Sequence, residues 1–461
     1  MGINKNEEKW LEIEKKYGEE VLKAMKMLHA YYDGEGIARW IAGLFDPETG
    51  GFYYCNSARD TEGFLPDLES TSQALSILSE VGAIPTAELN EILPEKVKKK
   101  IIDFVLERQS PVDGYFYHPQ WPQDKSLLAT DRYGRDIGNA TSVLRRVYID
   151  ADGDGVEERQ RPRYCTVNGI KCARHEGTDE VCRFPIDGAT ASEPIQKNEP
   201  EQAPSPRSDL HPVYTSAEDF LAWLERYSEG IHVNSGRAHN LAALSSEINM
   251  HGYIDVLIDF IARKQKELFD EQERLGEEPT GIWQRAIDYR AVWGTYKYLY
   301  IYNTYDRAID LKYVPYMVKT CLKVIKLPAI KNYAYNDLMN QWSAISGIIQ
   351  NVKKHYGQDE ANKIYDMVRD DAAALVENSL EKMLPFKMAD GSFCNRVSGD
   401  TSAIIYGTPI AVGGLAEGNA NSTHILLCMY YSICAVLGCP AVPLSDTDIG
   451  REIANILASK C

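Results

Sequence analysis

Apolar residues recur at three-and-four spacing over ten stretches: Trp10 to Tyr32, Thr71 to Val81, Val97 to Leu106, Ala238 to Ile248, Val256 to Leu268, Ala291 to Tyr302, Val314 to Ile325, Leu338 to Val352, Ala361 to Leu384 and His424 to Leu437. That period puts the apolar side chains on one face of an α-helix. Runs that alternate every second residue are nearly absent, so the pattern predicts an all-α fold. Helices of roughly 10 to 25 residues joined by glycine-containing turns describe stacked hairpins rather than a long coiled coil. The pattern breaks from about Asp150 to Pro212, a stretch rich in Pro, Arg, Glu and Gly that ends in Glu199-Pro200-Glu201-Gln202-Ala203-Pro204-Ser205-Pro206. It reads as a long irregular insertion (150–212) inside one domain spanning 1–461. Helix punctuation resumes at Thr215, which with Glu218 matches a capping box.

A turn motif repeats between these helices. Four times a glycine is followed within two residues by a large aromatic, ahead of an acidic or amide-rich helix start. The copies are Gly50-Gly51-Phe52 before Asp67-Leu68-Glu69-Ser70-Thr71, Asp113-Gly114-Tyr115-Phe116 before Asp136-Ile137-Gly138-Asn139-Ala140-Thr141, Gly281-Ile282-Trp283 before Asp288-Tyr289-Arg290, and Asp390-Gly391-Ser392-Phe393 before Glu417-Gly418-Asn419-Ala420-Asn421-Ser422-Thr423. A recurring helix-turn-helix unit fixes the architecture, and residues that differ at one repeated position mark where chemistry can sit.

On these turns the chain resembles the α/α-toroid superfamily, which includes the six-hairpin glycoside hydrolases, several polysaccharide lyases, and the terpenoid cyclases with protein prenyltransferases. The resemblance covers most of the chain outside the insertion. It implies inner helices around a central cavity, outer helices covering them, and motif loops on one rim of that cavity. It is specific for the fold and not for the reaction.

Glycoside hydrolysis needs two carboxyl groups, one to protonate the leaving oxygen and one to activate water or attack the sugar. The candidates for those catalytic roles are Asp60, Glu69, Asp136, Asp288 and Glu417. Arg59, Asp67, Tyr133, Asn139, His239, Asn240, Trp283, Tyr289, Arg290 and Asn419 are candidates for binding substrate. Arg59 and Asp60 are neighbours in sequence and need not pair. For each acid the competing explanation is helix capping, because Asp, Asn, Ser and Thr are preferred N-caps and acids there complement the helix dipole. The 28 Tyr and 7 Trp include Tyr53, Tyr54, Tyr115, Tyr117, Trp121, Trp293, Tyr333, Tyr335 and Trp342 near these loops. They can stack on sugar rings or simply fill gaps between helices. Asn234-Ser235-Gly236-Arg237-Ala238-His239-Asn240 offers the Arg, Asn and His that a lyase uses to remove a proton beside a carboxylate. The same segment also reads as a helix start capped by Ser235.

Two metal signals lie in the insertion. Asp150-Ala151-Asp152-Gly153-Asp154-Gly155 matches the first half of a calcium loop, but Arg161 stands at the twelfth position, where a bidentate Glu belongs. Cys165, Cys172, His175 and Cys182 have the ligand chemistry of a structural zinc at spacings wider than a knuckle. The other readings of these cysteines are free thiols, and Cys321, Cys428 and Cys434 read as buried thiols in apolar helices.

A net charge of −17 argues against nucleic acid, which needs a basic face. The N-terminal Met1-Gly2-Ile3-Asn4-Lys5-Asn6 lacks an apolar signal core, and no later run reads as a membrane span. The expectation is a cytoplasmic protein with no membrane partner, acting as a glycoside hydrolase on a short oligosaccharide. The alternatives are a lyase, a terpenoid-cyclase-like enzyme, and a non-catalytic glycan or peptide binding module. Terpenoid chemistry is disfavoured because no Asp-x-Asp-Asp motif falls on a helix. The oligomeric state is not encoded in any of these patterns.

Overall fold

The computed structural model describes residues 5–84, 88–110, 115–120, 130–150, 152–160, 166–167, 170–171, 213–233, 240–330, 333–396, 404–405, 408–445 and 448–461. The described residues are mostly helical, as the hydrophobic period predicts. Among them, strand pairing is confined to three antiparallel two-residue pairs: Tyr148–Ile149 with Glu158–Arg159, Thr166–Val167 with Ile170–Lys171, and Ile404–Ile405 with Thr408–Pro409.

Six helices position the candidate site: α1 (Leu68–Glu80), α2 (Thr130–Arg146), α3 (Leu241–Met250), α4 (Tyr289–Thr304), α5 (Tyr335–Tyr356) and α6 (Ala420–Leu437). Each packs against the next, and α6 packs back against α1, so the contacts close into a cycle. Further helices back them: Gly34–Gly43 against α1, Glu95–Leu106 against α2, Ile254–Leu275 against α3 and α4, and Val314–Ile325 with Gln358–Arg369 against α5. The six are largely buried, apart from half-exposed stripes at helical spacing. On α4 the stripe is Trp293, Tyr296 and Lys297, leading to exposed Tyr300; on α6 it is Asn421, His424, Ile425, Cys428, Tyr431 and Ser432. Helices packed on several sides leave only such a stripe uncovered.

The first, third and fourth repeated turns are explained by close approach, while Asp113-Gly114 of the second lies outside the described residues. Gly281 has φ 72°, and a Cβ there would lie 2.6 Å from the Cβ of Tyr316 and 2.7 Å from the nitrogen of Met317. Only glycine tolerates both that backbone region and that contact with the backing helix. The aromatics that follow, Phe52, Phe116, Trp283 and Phe393, are all buried. The first and last repeats match bond for bond. The Phe52 nitrogen donates to Thr71 Oγ1 and Ser70 Oγ donates to the Phe52 carbonyl; the Phe393 nitrogen donates to Thr423 Oγ1 and Ser422 Oγ donates to the Phe393 carbonyl. Asp67 and Asn419 are the corresponding N-caps, accepting from the nitrogens of Glu69 and Ser422. Glu69 and Asn421 are therefore equivalent positions.

Several expectations change. The stretch Trp10 to Tyr32 is two helices, Lys5–Tyr17 and Glu19–Tyr31, because Gly18 takes φ 85° between them. Ala361 to Leu384 divides into Gln358–Arg369 and Ala372–Met383, so Asp370-Asp371 lies at a break and not within one helix. The cap after the insertion is Ser216, which accepts from the Asp219 nitrogen at 3.0 Å, one residue later than the Thr215 box. The helix of the second repeat starts at Thr130, so Asp136 and Asn139 lie inside it rather than ahead of it. Among the described residues one helix, Ala420–Leu437, is long and apolar enough by length and composition to cross a membrane; it is α6 of the cycle, with 61% of it buried inside the protein.

Candidate functional site

The N-terminal ends of α1, α2, α5 and α6 bring a polar cluster together. Glu69, with its side chain 2% exposed, is ion-paired with Arg135 of α2. Gln73, one turn further along α1, donates to Glu69 Oε1 at 3.2 Å and to Asn421 Oδ1 at 2.9 Å. Asn421 Nδ2 in turn donates to the Tyr335 hydroxyl at 2.5 Å. Asp67 takes the capping duty at this helix start, which leaves the Glu69 carboxylate to the cluster. Glu417, just before α6, accepts from the Ser57 nitrogen at 2.9 Å through Oε2; its buried Oε1 makes no bond of good geometry among the described residues, and the Cys55 thiol is the group beside this carboxylate.

A second layer supports this cluster. Asp67 Oδ1 accepts from the Glu69 nitrogen at 2.7 Å and from the Tyr54 hydroxyl at 3.3 Å, and His118 Nε2 lies 4.0 Å from Oδ2. The Arg108 guanidinium sits 3.6 Å above the Phe104 ring. Burial draws its pKa down to about 10, against the charges of Asp67, Glu107 and Asp136. Asp136 is 1% exposed and serves here as one of the charges around Arg108.

The remaining candidates separate from the cluster. Asp60 is exposed and held by its neighbour: Arg59 Nε reaches Oδ1 at 2.7 Å and Nη2 reaches Oδ2 at 2.8 Å, correcting the reading that they need not pair. Those bonds hold its carboxyl below the usual range. Asp288 is a cap, accepting from the Ala291 nitrogen at 2.8 Å, and Arg290 beside it is exposed. Trp283 is buried, donating to the Ile261 carbonyl at 2.8 Å, and the Tyr289 hydroxyl donates to the Leu327 carbonyl at 2.8 Å. Both work between helices, as do Trp342, bonded to Ser379, and Tyr333, 1% exposed. Asn419 caps α6, and Asn139 is half-buried on α2. Asn240 precedes α3 without a side-chain cap bond. His239, with the rest of 234–239, lies outside the described residues, as do Trp121, the side chain of Tyr133, and Cys165, Cys172, His175 and Cys182.

The calcium-like loop is a hairpin turn between Tyr148–Ile149 and Glu158–Arg159. Carboxylate oxygens of Asp150, Asp152 and Asp154 lie within 4.8 Å of one another. Asp150 also accepts from the nitrogens of Gly153 and Gly155, at 2.8 and 2.9 Å.

Three features escaped the sequence reading. Glu69, Gln73, Ser76 and Glu80 recur at four, three and four residues, a polar stripe on one face of α1. Its far end meets α6 and α2. Glu80 Oε1 lies 2.9 Å from His424 Nδ1, and Cys428, expected to be a buried thiol, is only half-buried and 3.4 Å from the same oxygen. Arg146 donates to Ser76 at 2.9 Å and borders a cavity of about 280 Å³ lined also by Ile137, Thr141, Asn249 and Tyr300. The third is Glu247 on α3, fully enclosed, which accepts from the Tyr115 hydroxyl at 2.7 Å. Burial pushes its carboxyl up to about 7, with its hydrogen bonds pulling the other way. Nearby, His251 stacks on Tyr214 at 4.0 Å between centroids, and burial lowers its imidazole to about 4.

No protein-family model, curated protein or solved structure matches the chain.

Proposed function

We propose that the chain is an α/α toroid whose six-helix cycle encloses a substrate cavity, and that it acts as a glycoside hydrolase on a short oligosaccharide. The observation that carries this reading is the pair Glu69 and Glu417, two carboxyl groups set at the same ends of adjacent helices in contrasting surroundings. Enzymes that need an acid and a base from one residue type separate them by environment. Glu69 carries its charge in the ion pair with Arg135 and serves as base or nucleophile. Glu417, with one oxygen buried beside the Cys55 thiol, is assigned the role of proton donor. Gln73, Asn421 and Tyr335 supply hydrogen bonds for sugar hydroxyls.

Screening purified protein against aryl glycosides and unsaturated uronide oligosaccharides tests this. Turnover is expected, with kcat/KM lowered about a hundredfold or more by Glu69→Gln, the scale of a lost acid or base. For Glu417→Gln the loss is expected to shrink on substrates whose leaving group needs no proton. Absence of sugar binding and turnover, or full activity in Glu69→Gln, sinks the proposal.

Lyase chemistry is the second reading, favoured by Arg135, Asn421 and Tyr335 meeting at one place. Arg and Asn suit neutralising a uronate, and a tyrosine hydroxyl suits proton removal. Turnover of a uronide polymer with gain of an unsaturated product distinguishes it.

Calcium at Asp150, Asp152 and Asp154 is part of the proposal on the convergence of their oxygens. Millimolar calcium is expected to raise Tm, and Asp152→Asn to remove the rise; an equal response in the variant argues against the loop.

A further inference from the structure

We propose that Glu80, His424 and Cys428 form a zinc site on the facing surfaces of α1 and α6, with a fourth position open for a substrate or water. The three residues come from two helices, and His424 and Cys428 are one turn apart on the same face of α6. One ligand atom from each lies within 4.8 Å of the other two. Zinc bonds of about 2.0 to 2.3 Å in a tetrahedron place ligand atoms about 3.3 to 3.6 Å apart. The observed edges are 2.9 Å for Glu80 Oε1 to His424 Nδ1, 3.4 Å for Glu80 Oε1 to Cys428 Sγ, and 3.8 Å for Cys428 Sγ to His424 Nδ1. A shift of a few tenths of an ångström, inward or outward, makes them equal.

A plain buried ion pair accounts for less. Glu80 and His424 satisfy one another without a third residue, yet the thiol of Cys428 lies 3.4 Å from the same carboxylate oxygen and beside the imidazole, 3.8 Å from Nδ1 and 3.9 Å from Nε2. Thiolate, imidazole and carboxylate together are the donor set of zinc rather than of calcium or magnesium, which take oxygen. The side chains of Glu80 and His424 are 17% and 23% exposed. Three protein ligands with access from outside are the pattern of zinc sites that keep a position for chemistry, whereas closed structural sites have four.

The surroundings fit an exchangeable fourth ligand. Tyr431 donates its hydroxyl to the Glu80 carbonyl, fixing the end of α1 against α6. Arg146 of α2 is close enough to feel the charge of Glu80 and borders the 280 Å³ cavity. A guanidinium near a zinc suits a small ligand with a carbonyl or carboxylate oxygen, which the metal can polarise. The site stands independently of the sugar reading, since it lies about three turns along α1 from Glu69.

The test is metal titration of the full chain after chelator treatment, with zinc, and with cobalt to report thiolate ligation by charge-transfer absorption. One equivalent is expected to bind with a cobalt–thiolate band. Cys428→Ser and His424→Ala are expected to weaken this binding at least a hundredfold with helical circular dichroism unchanged. In the wild-type protein zinc is expected to shield Cys428 from alkylation, read by peptide mass spectrometry, which holds even if a variant fails to fold. No uptake overturns the proposal. So does uptake unchanged in Cys428→Ser, which assigns the metal to other residues such as Cys165, Cys172, His175 and Cys182, and so does alkylation of Cys428 that zinc leaves unaltered.

Discussion

Arg135→Met is expected to destabilise the protein by about 3 kcal/mol, and Glu69→Gln in the same chain to restore most of the loss. Removing one partner of a buried ion pair leaves an uncompensated charge, at a cost of roughly 3 to 5 kcal/mol. The low end applies because the Arg135 side chain is 22% exposed and water partly screens it. Gln73 donates to Glu69 as well, but a neutral amide offsets only part of the lost guanidinium. The double variant has a neutral pair of similar volume, so the penalty falls. Urea unfolding of the wild-type protein, both single variants and the double variant measures the coupling. Equal stabilities for Arg135→Met and the double variant would remove Glu69 as the residue that depends on Arg135.

The second large effect is a gain. Glu247→Gln is expected to stabilise the protein at pH 8, on the order of 3 kcal/mol, with little change at pH 4. A folded-state carboxyl raised from 4.5 to about 7 binds a proton more tightly in the native state than in the unfolded chain. Between those values the native protein holds more protons, so stability falls as pH rises, and the full cost is reached above pH 7. Two and a half pH units correspond to about 3 kcal/mol. Glutamine removes the charge while its carbonyl still accepts from Tyr115. His251 works in the opposite direction: its imidazole is lowered from 6.5 to about 4, so stability is lost as pH falls from 6.5 toward 4. Thermal melts from pH 4 to 9 should show the alkaline loss in wild type and its disappearance in Glu247→Gln. An unchanged slope above pH 5 refutes the assignment.

The helices were readable because most of their residues bury an apolar stripe, and that period survives whatever packs against it. Their interruptions were less readable. Gly18 looks like one glycine in a long amphipathic run, and only its φ of 85° shows that it ends a helix. Asp370-Asp371 suits a solvent-facing turn of helix as well as a break. The motif turns were readable because a buried glycine and aromatic are needed at each approach of turn to backing helix, as at Gly281 and Trp283. Acids after the turns were a weaker guide. Asp67 and Asp288 cap helices and Asp60 holds Arg59, while Glu69, two residues beyond its cap, points into the polar cluster.

The residues missed share a cause. Glu80, His424, Cys428 and Glu247 lie within apolar helices, where a search directed at loops does not look. The four-three-four spacing from Glu69 to Glu80 was present in the sequence, and so was the one-turn separation of His424 and Cys428. What no single helix encodes is its neighbour: that α1 lies beside α6 follows from closing the cycle.

That closure has a consequence for how the protein comes into being. Gln73 meets Asn421 across 348 residues of chain, Ser57 meets Glu417 across 360, and Glu80 meets His424 across 344. Contacts so distant in sequence are made late, because the chain between them must first be ordered. During synthesis α1 emerges with its polar face lacking its eventual partner until α6, 344 residues beyond at the Glu80–His424 contact, has followed. The seam between the first and last repeats is therefore expected to close late in assembly, and both polar clusters are built across it. Binding capacity at either one becomes a report that α1 and α6 have met.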